Sequence, residues 1–378
     1  MLYTYTYVPH QMERMQRFVN YIFYQVWCRA HKLGPYSLNL FDDNPPLKEV
    51  MTDFAYGDST VGDRFTSRIE AIYGEFARLP RVSRKTFKRW YHFTNDIEKI
   101  CNNEIREEWI GKYKSIERSH PALAKSLSQF FKDLWLPNLL SLKAIKGKIG
   151  EIEDHYDHFM AINKIHKCPF CGISDMLGFY TSKREAYDHY LSKAIYAFNS
   201  INFHNLSPAC HHCNSTYKST KDPAFIGKDP TRGGARRKAF YPYTKNSYSI
   251  EITIDLPVAI LSKLSPKDIL LSFESGGYSE EVETWLDVYG IDERFKDKLL
   301  SGDGESWLTE VLDEWRWKST GHGEGGQVPA EYLSMIKRQA KRSPFTDSKF
   351  LKNAFLEGCD RAGYFSIGYD LLIKTPEV

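Results

Sequence analysis

Four cysteines fall in two Cys-x-x-Cys pairs, Cys168/Cys171 in "HKCPFCG" and Cys210/Cys213 in "PACHHCN". Two such knuckles can present four thiolates to one Zn²⁺ in a tetrahedral shell, and the metal then closes the long loop between them. A lone pair could equally be redox-active, but a second pair of matching spacing points to structural zinc. Zinc also explains how a sparsely apolar stretch stays folded, because metal binding contributes folding free energy. The neighbouring His166, His211 and His212 are not needed to fill a shell of four. Between the pairs lies Asp188-His189, in "YDHYLSK", and Asn214 directly follows the last cysteine. Asp188 and Asn214 offer hard oxygen ligands suited to Mg²⁺. His189 has the side chain whose ordinary pKa lets it take a proton from water near neutral pH. Neighbours on a strand face opposite ways, so Asp188 and His189 can serve one site only where a strand ends or bends.

The surrounding chain must supply the scaffold. Its 378 residues, 42% hydrophobic and 15% aromatic, exceed one ordinary domain and provide ample core. Seven cysteines are too few for a disulfide framework, and Cys28, Cys101 and Cys359 read as buried thiols. No apolar run reaches membrane-spanning length and the start lacks an export signal, which gives a cytoplasmic expectation. The spacing predicts helices over 11–35 and 61–80, with a loop at "GPYSLNLFDDNPP" between them. Leu123, Leu127, Phe130, Phe131 and Leu134 fit one helical face that Pro137 should end or kink. In "SRKTFKRWYHF" the basic side chains should face solvent while the aromatics turn inward. "SYSIEITIDLP" alternates as a half-buried strand, helices resume around "SEEVETWLDVYG", and "STGHGEGGQVP" reads as a flexible connection. The expected organisation is a mostly helical region 1–160, a module at 161–245, a mixed region at 246–318, and a connection with a short helical tail at 319–378. The fold class is mainly α with a small α+β module.

The order "CPFC", "DH", "NLSPACHHCNSTYK" resembles the four-cysteine form of the HNH endonucleases. That resemblance covers only the module. It implies a zinc-stabilised ββα-metal nuclease fold flanked by helical regions, with one structural zinc and one catalytic Mg²⁺ or Mn²⁺. It assigns Asp188 and Asn214 as ligands to the catalytic cation, His189 as general base, Asn205 as the residue steadying the loop that carries the base, and Lys218 as a basic group near the scissile phosphate. Ser192 stands where the family often has proline.

The chemistry is coherent without the name. A phosphodiester repels hydroxide, so its hydrolysis needs both an activated water and local positive charge. Downstream, "KSTKDPAFIGKDPTRGGARRKAF" carries Lys221, Arg232, Arg236, Arg237 and Lys238, expected to follow a phosphate backbone. The leading expectation is a metal-dependent endonuclease acting on nucleic acid, with DNA favoured. The alternatives are a nonenzymatic zinc-containing nucleic-acid-binding protein and a scaffold for protein partners. By family analogy, antiphage-defence and mobile-element nucleases of this kind can work beside an ATPase or other regulatory protein. A homodimer would allow paired cuts, and no membrane partner is expected.

Overall fold

In the computed structural model, residues 1–135, 137–178, 180–227, 234–257, 259–317 and 328–367 are described. Arg232 and most of the expected connection at 319–329 lie outside them. The chain forms two compact units. One comprises Thr4–His166 and Met176–Lys245 and is called the β1–β2 unit after its strands Tyr187–His189 (β1) and Leu206–Pro208 (β2). The other comprises Met1–Tyr3, Lys167–Asp175 and the described part of Asn246–Val378 and is called the β3–β4 unit after its strands Glu251–Asp255 (β3) and Leu270–Glu274 (β4). The expected helical region and most of the module thus belong to one unit, while the residues around the first cysteine pair group with the C-terminal part of the chain. Both units are built mainly from helices, and no helix among the described residues is long and apolar enough to cross a membrane.

Amphipathic helices build the β1–β2 unit. Thr60–Arg78 starts at Ser59, whose hydroxyl accepts from Gly62 N at 3.1 Å, and buries Phe65, Ile69, Ile72, Tyr73 and Phe76 along one face. Asn44 caps Pro45–Tyr56 in the same way, with proline at the first helical positions. The expected N-terminal helix is not uniform: Glu13–Tyr21 widens to π geometry over Ile22–Val26. That segment places Phe23 against Tyr91, ring centroids 3.9 Å apart, and Trp27 donates its indole N–H to Ile69 O at 3.0 Å. Pro121–Asp133 buries Leu123, Leu127, Phe130 and Phe131 and ends before Pro137, which opens a further short helix. On Arg81–Thr94, Phe87 and Tyr91 are buried whereas Lys85, Lys88 and Arg89 face solvent.

The β3–β4 unit pairs strand β3 (Glu251–Asp255) antiparallel with β4 (Leu270–Glu274), Ile254 opposite Leu271. Ile254 is fully buried, as the alternation predicts, while β4 was not anticipated. The helix Lys349–Ala362 lies on β3 so closely that a Cβ at Gly358 would come within 2.2 Å of Ile254 O. Helices Ser279–Tyr289 and Ile291–Leu300 meet at Gly290, whose left-handed φ of 58° favours glycine.

Candidate functional site

Each cysteine pair sits in a turn held by its own backbone. In the first, Cys168 N donates to Ser174 O at 2.9 Å, Gly172 N donates to Cys168 O at 2.7 Å, and Gly172 takes φ 71°. The knuckle is seated by Leu2 N to Pro169 O at 2.8 Å and by the Trp285 indole N–H to Phe170 O at 2.6 Å. In the second, Asn214 N donates to Cys210 O at 3.0 Å, and Cys213 N points at Cys210 Sγ at 3.4 Å. All four cysteines are buried, and their Sγ atoms lie within 4.8 Å of one another. Four sulfurs at about 2.3 Å from one Zn²⁺ would sit about 3.8 Å apart, so this cluster could hold such a metal. His211 and His212 are exposed and not part of it. Cys28, Cys101 and Cys359 are buried elsewhere, and burial raises each thiol's pKa, that of Cys28 to about 12.

Between the knuckles, β1 (Tyr187–His189) pairs antiparallel with β2 (Leu206–Pro208), placing Asp188 opposite Ser207 and His189 opposite Leu206. A π-helical segment, His212–Lys218, follows the second knuckle. His189 is the last residue of β1, the position at which neighbouring side chains can be redirected.

Asp188 is buried, 3% exposed; its Oδ1 accepts from Lys218 Nζ at 2.8 Å, while its Oδ2 has no hydrogen-bond partner. Burial raises its pKa and the Lys218 ammonium opposes the shift. Lys218 is itself 1% exposed and also donates to His189 O at 2.9 Å. The lysine expected near a scissile phosphate is therefore buried and engaged by the ribbon.

The His189 ring is turned the other way. Its Nε2 donates to Ser200 O at 2.8 Å, and the Trp135 ring meets it edge to face at 5.3 Å. Because a carbonyl can only accept, Nε2 carries the hydrogen of the neutral ring and Nδ1 carries the lone pair. Burial first, then the charge of Lys193 and more weakly that of Lys218, pushes the pKa down to about 3 against the Ser200 hydrogen bond. Ser200 is held in turn by its hydroxyl, which donates to Phe131 O at 2.8 Å. Phe198 in the same loop takes a left-handed φ of 81°, fixed by packing against Phe23, Tyr91 and Phe131.

Asn205 is fully buried and clamps the chain after β1. Its Oδ1 accepts from Leu191 N at 2.8 Å, and its Nδ2 donates to Leu191 O at 2.9 Å and to Asn199 O at 3.3 Å. Asn214 is half-buried near the start of the π segment that carries Lys218.

The basic segment is not a free arm. Arg236 donates to Asn103 Oδ1 and Ile100 O, each at 2.9 Å, and its guanidinium lies over the Phe225 ring. Arg237 is buried and donates to Asp222 O at 2.8 Å. Both arginines therefore tie the fold together, a correction to the expectation that they face substrate. Lys221 and Lys238 are exposed. One cationic residue that the motif did not assign, Lys193, acts on His189. It lowers the pKa of the ring, and Lys132 in turn lowers that of Lys193. Lys193 could have been noticed in "DHYLSK"; no sequence signal connects Trp135 to the ribbon. Compared with known proteins, the chain matches no family model, no curated protein and no solved structure.

Proposed function

We propose that the chain is a metal-dependent endonuclease of the HNH type, hydrolysing nucleic-acid phosphodiester bonds with DNA as substrate and keeping one structural zinc on its four cysteines. The observation that carries this reading is the setting of His189. Its Nε2–H is committed to a backbone carbonyl, which leaves Nδ1 as the proton acceptor at the end of a ribbon whose preceding carboxylate has an oxygen without a partner. In this role Nδ1 takes the proton of an attacking water, and Ser200 O steadies the imidazolium that forms. Burial and Lys193 keep the ring neutral in the substrate-free chain, and a phosphate anion beside it acts in the opposite sense. Asn205 holds the Leu191 backbone so that the base keeps its orientation. The unpartnered Asp188 Oδ2 fits the requirement for a hard anionic ligand, and Asn214 would add a neutral oxygen. Bound there, Mg²⁺ or Mn²⁺ would supply positive charge to the phosphate and leaving oxygens.

One observation favours the nonenzymatic reading, a zinc platform that binds nucleic acid without cutting it. Lys218 already neutralises the other oxygen of Asp188, which is how a purely structural carboxylate behaves. The two readings separate when wild type and His189→Ala are incubated with supercoiled DNA, linear DNA and RNA in Mg²⁺, Mn²⁺ or EDTA, with bound zinc measured alongside. The proposal expects cleavage by wild type alone, abolished by EDTA, with equal zinc in both proteins. Cleavage that survives removal of the divalent cation, or equal cleavage by His189→Ala, would sink it.

A further inference from the structure

We infer that the outer face of the helix Arg81–Thr94, with Arg106 and Trp109 at its edge, is a docking surface for the phosphate backbone of duplex DNA and positions the strand that is cut at His189. The inference rests on the endonuclease reading for the nature of its partner, but not for its geometry.

Charge is segregated on this helix. The chain as a whole is nearly balanced, with 51 Lys and Arg against 48 Asp and Glu, yet residues 79–95 hold five Lys or Arg and no acid. On either side of that run the cations are ion-paired, Arg78 to Glu75 at 2.6 Å and Lys99 to Asp96 at 2.8 Å. Within it, Arg81, Lys85, Lys88 and Arg89 recur at i, i+4, i+7 and i+8 and so share one face, away from the buried Phe87 and Tyr91. All four are exposed, and none has an ion-pair or hydrogen-bond acceptor among the described residues. At the end of this stripe the guanidiniums of Arg89 and Arg106 lie 5.8 and 5.2 Å from the centroid of the Trp109 ring, which stacks on Phe93 at 4.9 Å. An aromatic ring holds two like charges together without neutralising them, so their N–H groups stay available to an anion. A row of such cations fits an extended polyanion, whose phosphates it neutralises as counterions are released. A lipid surface fits less well: an interfacial helix buries an apolar face in the bilayer, whereas Phe87 and Tyr91 are buried in the protein and Val82 is the one large apolar side chain this helix exposes. The helix is also fastened to the loop that holds His189. Tyr91 packs on Phe198 with ring centroids 5.3 Å apart, and Asn202 Nδ2 donates to Asn95 O at 2.9 Å. Thr94 Oγ1 accepts from Gly111 N at 2.7 Å, and Gly111 O accepts from Ala197 N at 2.9 Å. Between these contacts lies Ser200, whose carbonyl accepts from His189 Nε2, so a backbone seated on the outer face is held at a set distance from the imidazole.

The test separates binding from cleavage. Binding of a fluorescein-labelled DNA duplex to the zinc-loaded full chain carrying His189→Ala is followed by anisotropy over a range of sodium chloride concentrations. Adding Lys85→Gln or Lys88→Gln should weaken binding several-fold and flatten the log–log salt dependence by about 0.9 per lysine. Lys85→Arg and Lys88→Arg keep the charge and should keep both quantities near the parent values. Lys337→Gln, which removes an exposed lysine of the β3–β4 unit, should change neither. The surface is overturned if both glutamine variants at 85 and 88 keep the parent affinity and salt slope, if Lys337→Gln weakens binding as much, or if the duplex does not bind. Phosphatidylserine vesicles are the second probe: co-sedimentation that depends on Lys85 and Lys88, without binding of the duplex, would overturn the assignment to nucleic acid. With His189 intact, the glutamine variants should raise KM more than they lower kcat. Binding that depends on these lysines without metal-dependent cleavage by wild type would overturn the endonuclease reading while supporting the surface.

Discussion

Two buried lysine–aspartate pairs in the β1–β2 unit have opposite completeness. At Asp222, both carboxylate oxygens are within bonding distance of the Tyr196 hydroxyl, at 2.7 and 2.8 Å, and Ala224 N adds a bond at 3.0 Å. Lys112 Nζ lies 3.6 Å from the same carboxylate and 3.0 Å from the Phe225 ring centroid. Every acceptor there is in use. At Asp188, one oxygen is held by Lys218 while the other, like the hydroxyl of Ser207 across the ribbon, has no partner despite burial. A buried polar group without a partner costs about 1–3 kcal/mol, so a fold keeps one where something beyond stability is served. By that measure Asp222 is structural, and Asp188 fits the cation-ligand role proposed for it.

The largest expected effect is on stability at Asp222. Asp222→Asn leaves Lys112 without its counter-charge and disturbs three donors, and should cost about 3–5 kcal/mol in chemical denaturation. Cleavage per folded molecule should stay near wild type. Asp188→Asn keeps an acceptor for Lys218 and loses only charge, so its cost should fall at the lower end of that range, about 3 kcal/mol, while metal-dependent cleavage disappears. Were Asp222→Asn to abolish cleavage at full foldedness, or Asp188→Asn to leave it intact, the distinction between the two pairs would collapse.

How far this contrast could be read from the chain differs by residue. The cysteine pairs are close in sequence and each closes its own turn, so their spacing alone announced a cluster. The apolar periodicity of Thr60–Arg78 and the alternation around Ile254 likewise followed from local pattern. Lys218 was expected beside a scissile phosphate from the motif alone, yet a buried carboxylate thirty residues away draws it inward. Arg236 and Arg237 were misread because their acceptors are main-chain oxygens such as Ile100 O and Asp222 O, which leave no trace in side-chain composition. Trp135 was invisible because it meets the His189 ring from a distant part of the chain, beside a Ser200–Phe131 hydrogen bond that spans 69 residues.

Asn205 gives the next test. Its amide satisfies the N–H and C=O of Leu191, both in a buried loop. Asn205→Ala leaves these groups unpaired and should destabilise the chain by about 3 kcal/mol, with kcat falling as His189 loses its fixed approach. If the residue only supports the fold, kcat per folded molecule will be unchanged and the loop will not belong with Asp188 on the functional side.

The smallest effect compares two buried histidines. His189 commits one nitrogen, whereas His155 commits both: Nε2 donates to Val8 O at 3.1 Å, so Nδ1 accepts from the Tyr187 hydroxyl. Burial pushes the His155 pKa down to about 4, with the Val8 hydrogen bond opposing. Its folded pKa lies below the unfolded value near 6.5, so as pH falls through that window the unfolded chain takes up the proton first and stability is lost. Between pH 7 and pH 5 this one group should remove about 2 kcal/mol. Denaturation midpoints of wild type and His155→Phe at both pH values isolate it: the variant should be less stable at pH 7 but lose less on acidification. Equal losses in both proteins would show that His155 is not held neutral by its two partners, and the contrast with His189 would then rest on burial alone.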